Sequence, residues 1–141
     1  MPVTEMARAC RDAGARVLVD GAHGPGMLDL DLPALQADWV TGNAHKWLFA
    51  PRGCALLWAT KEAQRNLHPT VISHGFEQGF VNEFDWTGTR DPTAWLAVPA
   101  ALDFYRSMGD SALRARNHAL AVAAGKLLAQ RWGTETGAPA T

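Results

Sequence analysis

The chain has 141 residues, 48% of them apolar, which is one domain's worth of sequence and enough for a sizeable core. Its 13 Lys and Arg against 14 Asp and Glu leave a net charge of −1, so no broad basic field exists to hold nucleic acid or an anionic membrane surface. Small, near-neutral partners are the expectation.

Cys10 and Cys54 lie without C-x-x-C spacing, which offers neither a disulfide framework nor a zinc knuckle and fits a reducing, cytoplasmic compartment. No apolar run approaches the ~20 residues of a membrane span, and the opening MPVTEMARACRDAG lacks the apolar stretch of a secretory signal. It reads as a helix instead: Val3, Met6, Ala7 and Cys10 form a helical stripe over Val3 to Ala13, and Gly14 supplies the stop.

In RVLVD, Val17, Leu18 and Val19 make a short apolar run, as in a strand buried on both faces of a parallel sheet. GAHGPG follows as a loop, and Leu32 to Gln36 reads as one helical turn. DWVTG and GCALLWAT (53–60) predict a second and third strand. Residues 70–88 look irregular, with SHGFEQG and NEFDWTGT rich in Gly and polar groups. Two helices close the chain: one over 91–108 with Pro92 in its first turn, and one over Ser111 to Trp132 ended by Gly133. The tail TETGAPAT reads as frayed. This order suits an α/β sheet.

Ligands of open α/β sheets sit outside the carboxyl ends of the strands, and two loops qualify there, Asp20 to Gly26 and Thr41 to Lys46. They bring Asp20, His23, Thr41, Asn43, His45 and Lys46 toward one pocket. GNAHKW lacks the glycine spacing and the following hydroxyl of a phosphate-binding Walker loop, and residues 21–26 run G-x-x-G-x-G rather than the dinucleotide fingerprint. For a metal at Asp20, His23 and His45, the adjacent Lys46 adds a positive charge where none is wanted. A Schiff-base lysine holding a carbonyl cofactor accounts for the whole set. An amine attacks a carbonyl only when unprotonated, and burial among Trp47, Leu48 and Phe49 would disfavour the cation. A buried Asp20 would keep a cofactor's ring nitrogen protonated. His23 would hydrogen-bond the ring oxygen, and Asn43, His45 and Thr41 would serve a phosphate.

VLVDGAHGPG followed by TGNAHKWLFAPRG, with HGFEQGFVNEFDWTGTRDPTAWLAVPAALDFYRSMG beyond, resembles the class V aminotransferases, fold type I enzymes of pyridoxal 5'-phosphate, and most nearly their isopenicillin N epimerase-like branch. The resemblance implies that Lys46 forms the Schiff base, Asp20 pairs with the pyridine nitrogen, His23 holds the ring oxygen, and Asn43 and His45 flank the phosphate. It implies a homodimer in which Thr89 of the TGT at 87–89 reaches the partner's phosphate, and an amino-acid-type substrate. It also implies that residues 1–90 are the later part of a large, mostly parallel cofactor domain, that 91–141 begin a smaller carboxy-terminal domain, and that the chain is a partial segment. Epimerisation, transamination and lyase chemistry stay open, the branch favouring the first and last. A second reading, from another class, is a non-catalytic remnant that keeps these residues without closing a pocket.

Several residues carry plainer readings. Asp20 could cap the following turn, and Arg90 could bind a carboxylate or bridge to Asp85 or Asp91. Cys54 reads as core, as does the helical stripe of Trp95, Leu96, Val98, Leu102 and Phe104.

Overall fold

The opening stripe folds as helix α1 (Val3–Asp12), with Ala7 buried and Gly14 at φ +78 ending it. The structure, a computed structural model, describes residues 1–138, so the last three residues of the tail read as frayed lie outside the described residues. Strand β1 (Leu18–Asp20) follows, then a 3-10 turn (Pro33–Leu35), strand β2 (Trp39–Asn43) and strand β3 (Ala55–Ala59).

The architecture is α/β, built on a three-stranded sheet of order β1-β2-β3. β1 and β2 are parallel, with Asp20 opposite Thr41. β3 runs antiparallel to β2, with Leu57 opposite Thr41, so the sheet is mixed. The connection Ala44–Cys54 contains no helix, and a parallel return needs a longer crossover, usually helical. β1 was expected to be buried on both faces; instead it is an edge strand, with Leu18 61% exposed.

Five further helices complete the described chain: α2 (Lys61–Gln64), α3 (Phe80–Asp85), α4 (Thr93–Leu96), α5 (Val98–Ser107) and α6 (Ser111–Trp132). Thr60 Oγ1 caps α2 by accepting from Ala63 N at 3.2 Å, and α3 lies within the stretch read as irregular. The helix expected over 91–108 breaks at Ala97, because Pro99 near the start of α5 has no N–H to donate back into the preceding turn. The core is small-residue packing beneath the lysine loop: Ala44, Ala50, Cys54 and Ala101, with Leu48, Ala94 and Val98 against them. Cys54 is core, as read. The stripe over 95–104 is not: Val98 and Leu102 are half-buried, but Leu96 is 74% and Phe104 52% exposed. None of the described helices is long and apolar enough to cross a membrane.

Asp38 ties the start of β1 to β2. Val17 N–H donates to its Oδ2 at 2.8 Å and Arg16 Nε to its Oδ1 at 3.3 Å. The bond from Val17, helped by Arg16 and opposed by desolvation, holds the Asp38 carboxyl below its ordinary value. Its folded value lies under its unfolded one, so the stabilisation is complete above the usual carboxylate value near pH ~4 and is lost as pH falls through the lowered value. Urea midpoints measured downward from pH ~5 should fall more steeply for the wild type than for Asp38→Asn. Parallel curves would show that the group contributes nothing to the acid limb.

Candidate active site

Parallel pairing places the carboxyl ends of β1 and β2 side by side, and both candidate loops leave from there. Gly21 N donates to Thr41 O at 3.0 Å, and Asn43 N to Ala22 O at 3.3 Å, so the backbones stay joined beyond the strands. The register puts Asp20 and Thr41 on one face of the sheet, with Asn43 two residues further along that face. The turn that carries the lysine is closed by Ala50 N donating to Ala44 O at 3.1 Å, and Phe49 turns it at φ +62, a left-handed conformation unusual for an aromatic residue.

Side chains then bind loop to loop. Trp47 Nε1 donates to His23 Nδ1 at 3.2 Å, which makes Nδ1 an acceptor and leaves Nε2 as the remaining ring nitrogen. His45 Nδ1 lies 2.9 Å from Cys54 O, and a carbonyl only accepts, so Nδ1 carries the proton and Nε2 is left for another partner. Gly26, at φ +82, sits so close that a Cβ there would stand 2.5 Å from Trp47 O. Lys46 therefore lies one residue from the point where the two loops touch.

Two expectations need correction. Asp20 was read as a buried anion, but it is exposed, and its Oδ1 accepts from Ala22 N at 3.0 Å in the turn-capping arrangement that was its plainer reading. It lies at the end of an edge strand, which has no strand partner on its outer side among the described residues. The apolar wall around Lys46 is only partial: Lys46 is half-buried, and Trp47 and Phe49 are 40% and 45% exposed. Their rings are engaged elsewhere, Trp47 on His23 and Phe49 against Phe104 at 5.4 Å. Asp20 and His23 line a cleft of about 320 Å³ with Val19, Val40 and Leu30, but Asn43, His45 and Lys46 do not form its wall.

Thr89 is exposed and lines a different cleft, with Ser73, His74, Trp86 and Thr87. Arg90 bridges neither Asp85 nor Asp91 among the described residues; its guanidinium lies over the Trp95 ring, 4.7 Å from the centroid. Asp91 instead accepts from Thr93 Oγ1 and, second, Thr93 N, which hold its carboxyl below the ordinary value.

Two groups of the fold carry no signal in the sequence. Glu83 is 3% exposed and its Oε2 lies 2.7 Å from His68 Nδ1. Tyr105, 4% exposed, donates to Gly26 O at 2.8 Å. Neither has a local signal, since their partners lie 15 and 79 residues away.

The chain thus combines a mixed α/β sheet with a carboxylate-bearing and a lysine-bearing loop at the ends of adjacent parallel strands. The class-V aminotransferase family model matches residues 1–141, and the chain belongs to that family. It is 39% identical over 145 residues to a probable chloroplastic L-cysteine desulfhydrase of Arabidopsis thaliana, covering 99% of this chain and 30% of that protein. To the isopenicillin N epimerase of Streptomyces clavuligerus it is 36% identical over 149 residues, covering 94% of this chain and 37% of that protein. The apo structure of a cysteine desulfurase from Thermococcus onnurineus NA1 superposes with a TM-score of 0.72 at 22% identity, over 88% of this chain and 34% of that one, and so shares the fold. The chain spans about a third of the length of the curated relatives it matches.

Proposed function

We propose that this chain carries the lysine and carboxylate of a pyridoxal-phosphate enzyme acting on an amino acid or amino-acid-derived substrate. The observation that supports the reading most is the joining of the Asp20 and Lys46 loops, by the Trp47 to His23 bond and by the seating of Gly26 on Trp47, at the ends of parallel strands. The polar groups suit such a cofactor: an amine, a carboxylate with one oxygen in a hydrogen bond among the described residues, and two imidazoles whose Nε2 has no partner among them, that of His23 bearing a proton and that of His45 able to donate to a phosphate only in the imidazolium form. When bound, pyridoxal phosphate supplies an aldehyde for an amine and a protonated ring that delocalises charge from an amino acid's Cα. Lys46 would hold it covalently, Asp20 would face the ring nitrogen and keep its proton in place, and His23 would hold the ring oxygen. Asn43, His45 and Thr41 would serve the phosphate, and Thr89 would reach that of a partner subunit in a homodimer.

Once substrate frees it, Lys46 Nζ would take the Cα proton as general base. Delivery of a proton to the opposite face by a second acid would give an epimer, and loss of a side-chain group would give a lyase product; the names of the two relatives, an epimerase and a desulfhydrase, correspond to these outcomes. In this reading residues 1–90 belong to the cofactor domain and 91–141 begin a smaller one, in a cytoplasmic setting where Cys10 and Cys54 stay free. The exposure of Asp20 favours a second reading, a remnant that retains these residues without closing a pocket.

Absorbance under saturating pyridoxal phosphate, then borohydride reduction and peptide mapping, separates the two. The cofactor reading expects a visible band and a label on Lys46 that Lys46→Ala removes. A colourless protein, or label spread over Lys61 and Lys126, would leave only the remnant.

A further inference from the structure

Gly26 joins the two halves of the site, and its carbonyl is where the distant helices take hold. The Tyr105 ring packs 6.1 Å from Phe49, centroid to centroid, and its hydroxyl donates to Gly26 O at 2.8 Å. Arg114 Nη1 donates to that same hydroxyl at 3.1 Å. A guanidinium has donors only, so the Tyr105 oxygen accepts from Arg114 and its single proton is committed to Gly26. Asp110 accepts from Arg114 Nη1, and Asp29 Oδ1 lies 3.9 Å from Nη2. Arg114 is thus flanked by carboxylates, which suits a fixed strut rather than an anion receptor.

The linkage continues into the site. Gly26 rests on the backbone of Trp47, the residue after Lys46, and the Trp47 indole donates to His23 Nδ1. Of the two groups this linkage orients, one is the imidazole and the other is the turn that carries the amine. We propose that Tyr105, aimed by Arg114, is a positioning residue that sets the His23 ring and the Lys46 turn from helices α5 and α6. What that orientation serves rests on the cofactor reading above; whether the linkage exists does not.

The test begins with cofactor-free, isotope-labelled protein. Tyr105→Phe keeps the ring and removes the hydroxyl. It should raise hydrogen exchange of the Trp47 indole N–H by about fivefold or more, move the His23 ring-nitrogen resonances, and weaken pyridoxal phosphate binding by about fivefold. Arg114→Gln should behave alike, and Arg114→Lys, which keeps a charged donor, should recover most of the wild-type spectrum. Unmoved Trp47 and His23 signals in a variant whose urea midpoint alone has fallen would reduce Tyr105 to a packing residue and overturn the proposal. If Tyr105→Phe does not fold, Arg114→Gln decides on the same signals. Changed signals with no label on Lys46 would keep the linkage and remove the cofactor reading.

Discussion

Gly26→Ala is expected to cost about 3 kcal/mol of stability, the left-handed backbone and the loop contact failing together. The residue sits at φ +82, where an alanine is strained, and the added Cβ would stand 2.5 Å from Trp47 O and 2.6 Å from Trp47 C. Both are backbone atoms, so no side chain can swing aside; one loop has to move off the other. Gly53 is the internal control, because it has φ +97 but nothing within 4 Å of its Cβ position. Gly53→Ala should therefore show the conformational cost alone, about 1 kcal/mol. Urea unfolding of both variants separates strain from collision. Equal losses would mean that the two loops do not press on each other, and the seating of the lysine turn on the carboxylate loop would lose its support.

The elements legible in the sequence are those whose cause is local. α1 follows from its stripe at Val3, Met6, Ala7 and Cys10, α6 from its Ala and Leu content and the stop at Gly133, and β2 from a short apolar run after Asp38. What escaped has distant or opposed causes. Pro99 splits the 91–108 helix because a missing N–H outweighs a continuous apolar stripe. The direction of β3 is set by the length of the Ala44–Cys54 connection rather than by any residue within the strand. α3 was hidden by the glycines around it, at Gly75, Gly79 and Gly88.

The site follows the same division. The candidate loops were legible because a carboxylate ending one strand and a lysine beyond the next are readable from order alone, and parallel pairing then fixes them at one sheet end. Burial of Asp20 and Lys46 was not, because desolvation depends on what covers a residue, and among the described residues no further strand pairs with the outer side of β1. Tyr105 is silent in the sequence for a related reason: a buried hydroxyl announces its partner only after folding has brought together positions 79 apart in the chain.

His68→Ala is the second substitution with a large expected effect, about 2 kcal/mol, and its reasoning bears on Thr89. Glu83 lies in α3 at 3% exposure, and among the described residues its carboxyl has one hydrogen-bond partner, the His68 imidazole. Nearby, Gly75 presses so closely on α3 that a Cβ there would stand 2.1 Å from Asn82 O. The segment from His68 to Gly75 is thereby clamped along α3, which runs directly into Trp86 and the loop that carries Thr89. Removing the imidazole strands a desolvated acid, whereas removing both partners together does not, since an unmet buried group costs more than an absent one. Pairing His68→Ala with Glu83→Met should therefore recover about half of the loss. Urea midpoints of the single and double variants provide the measurement: a double variant weaker than His68→Ala alone would show that Glu83 stabilises α3 without its histidine, and that the Thr89 loop is held by the glycine seat instead.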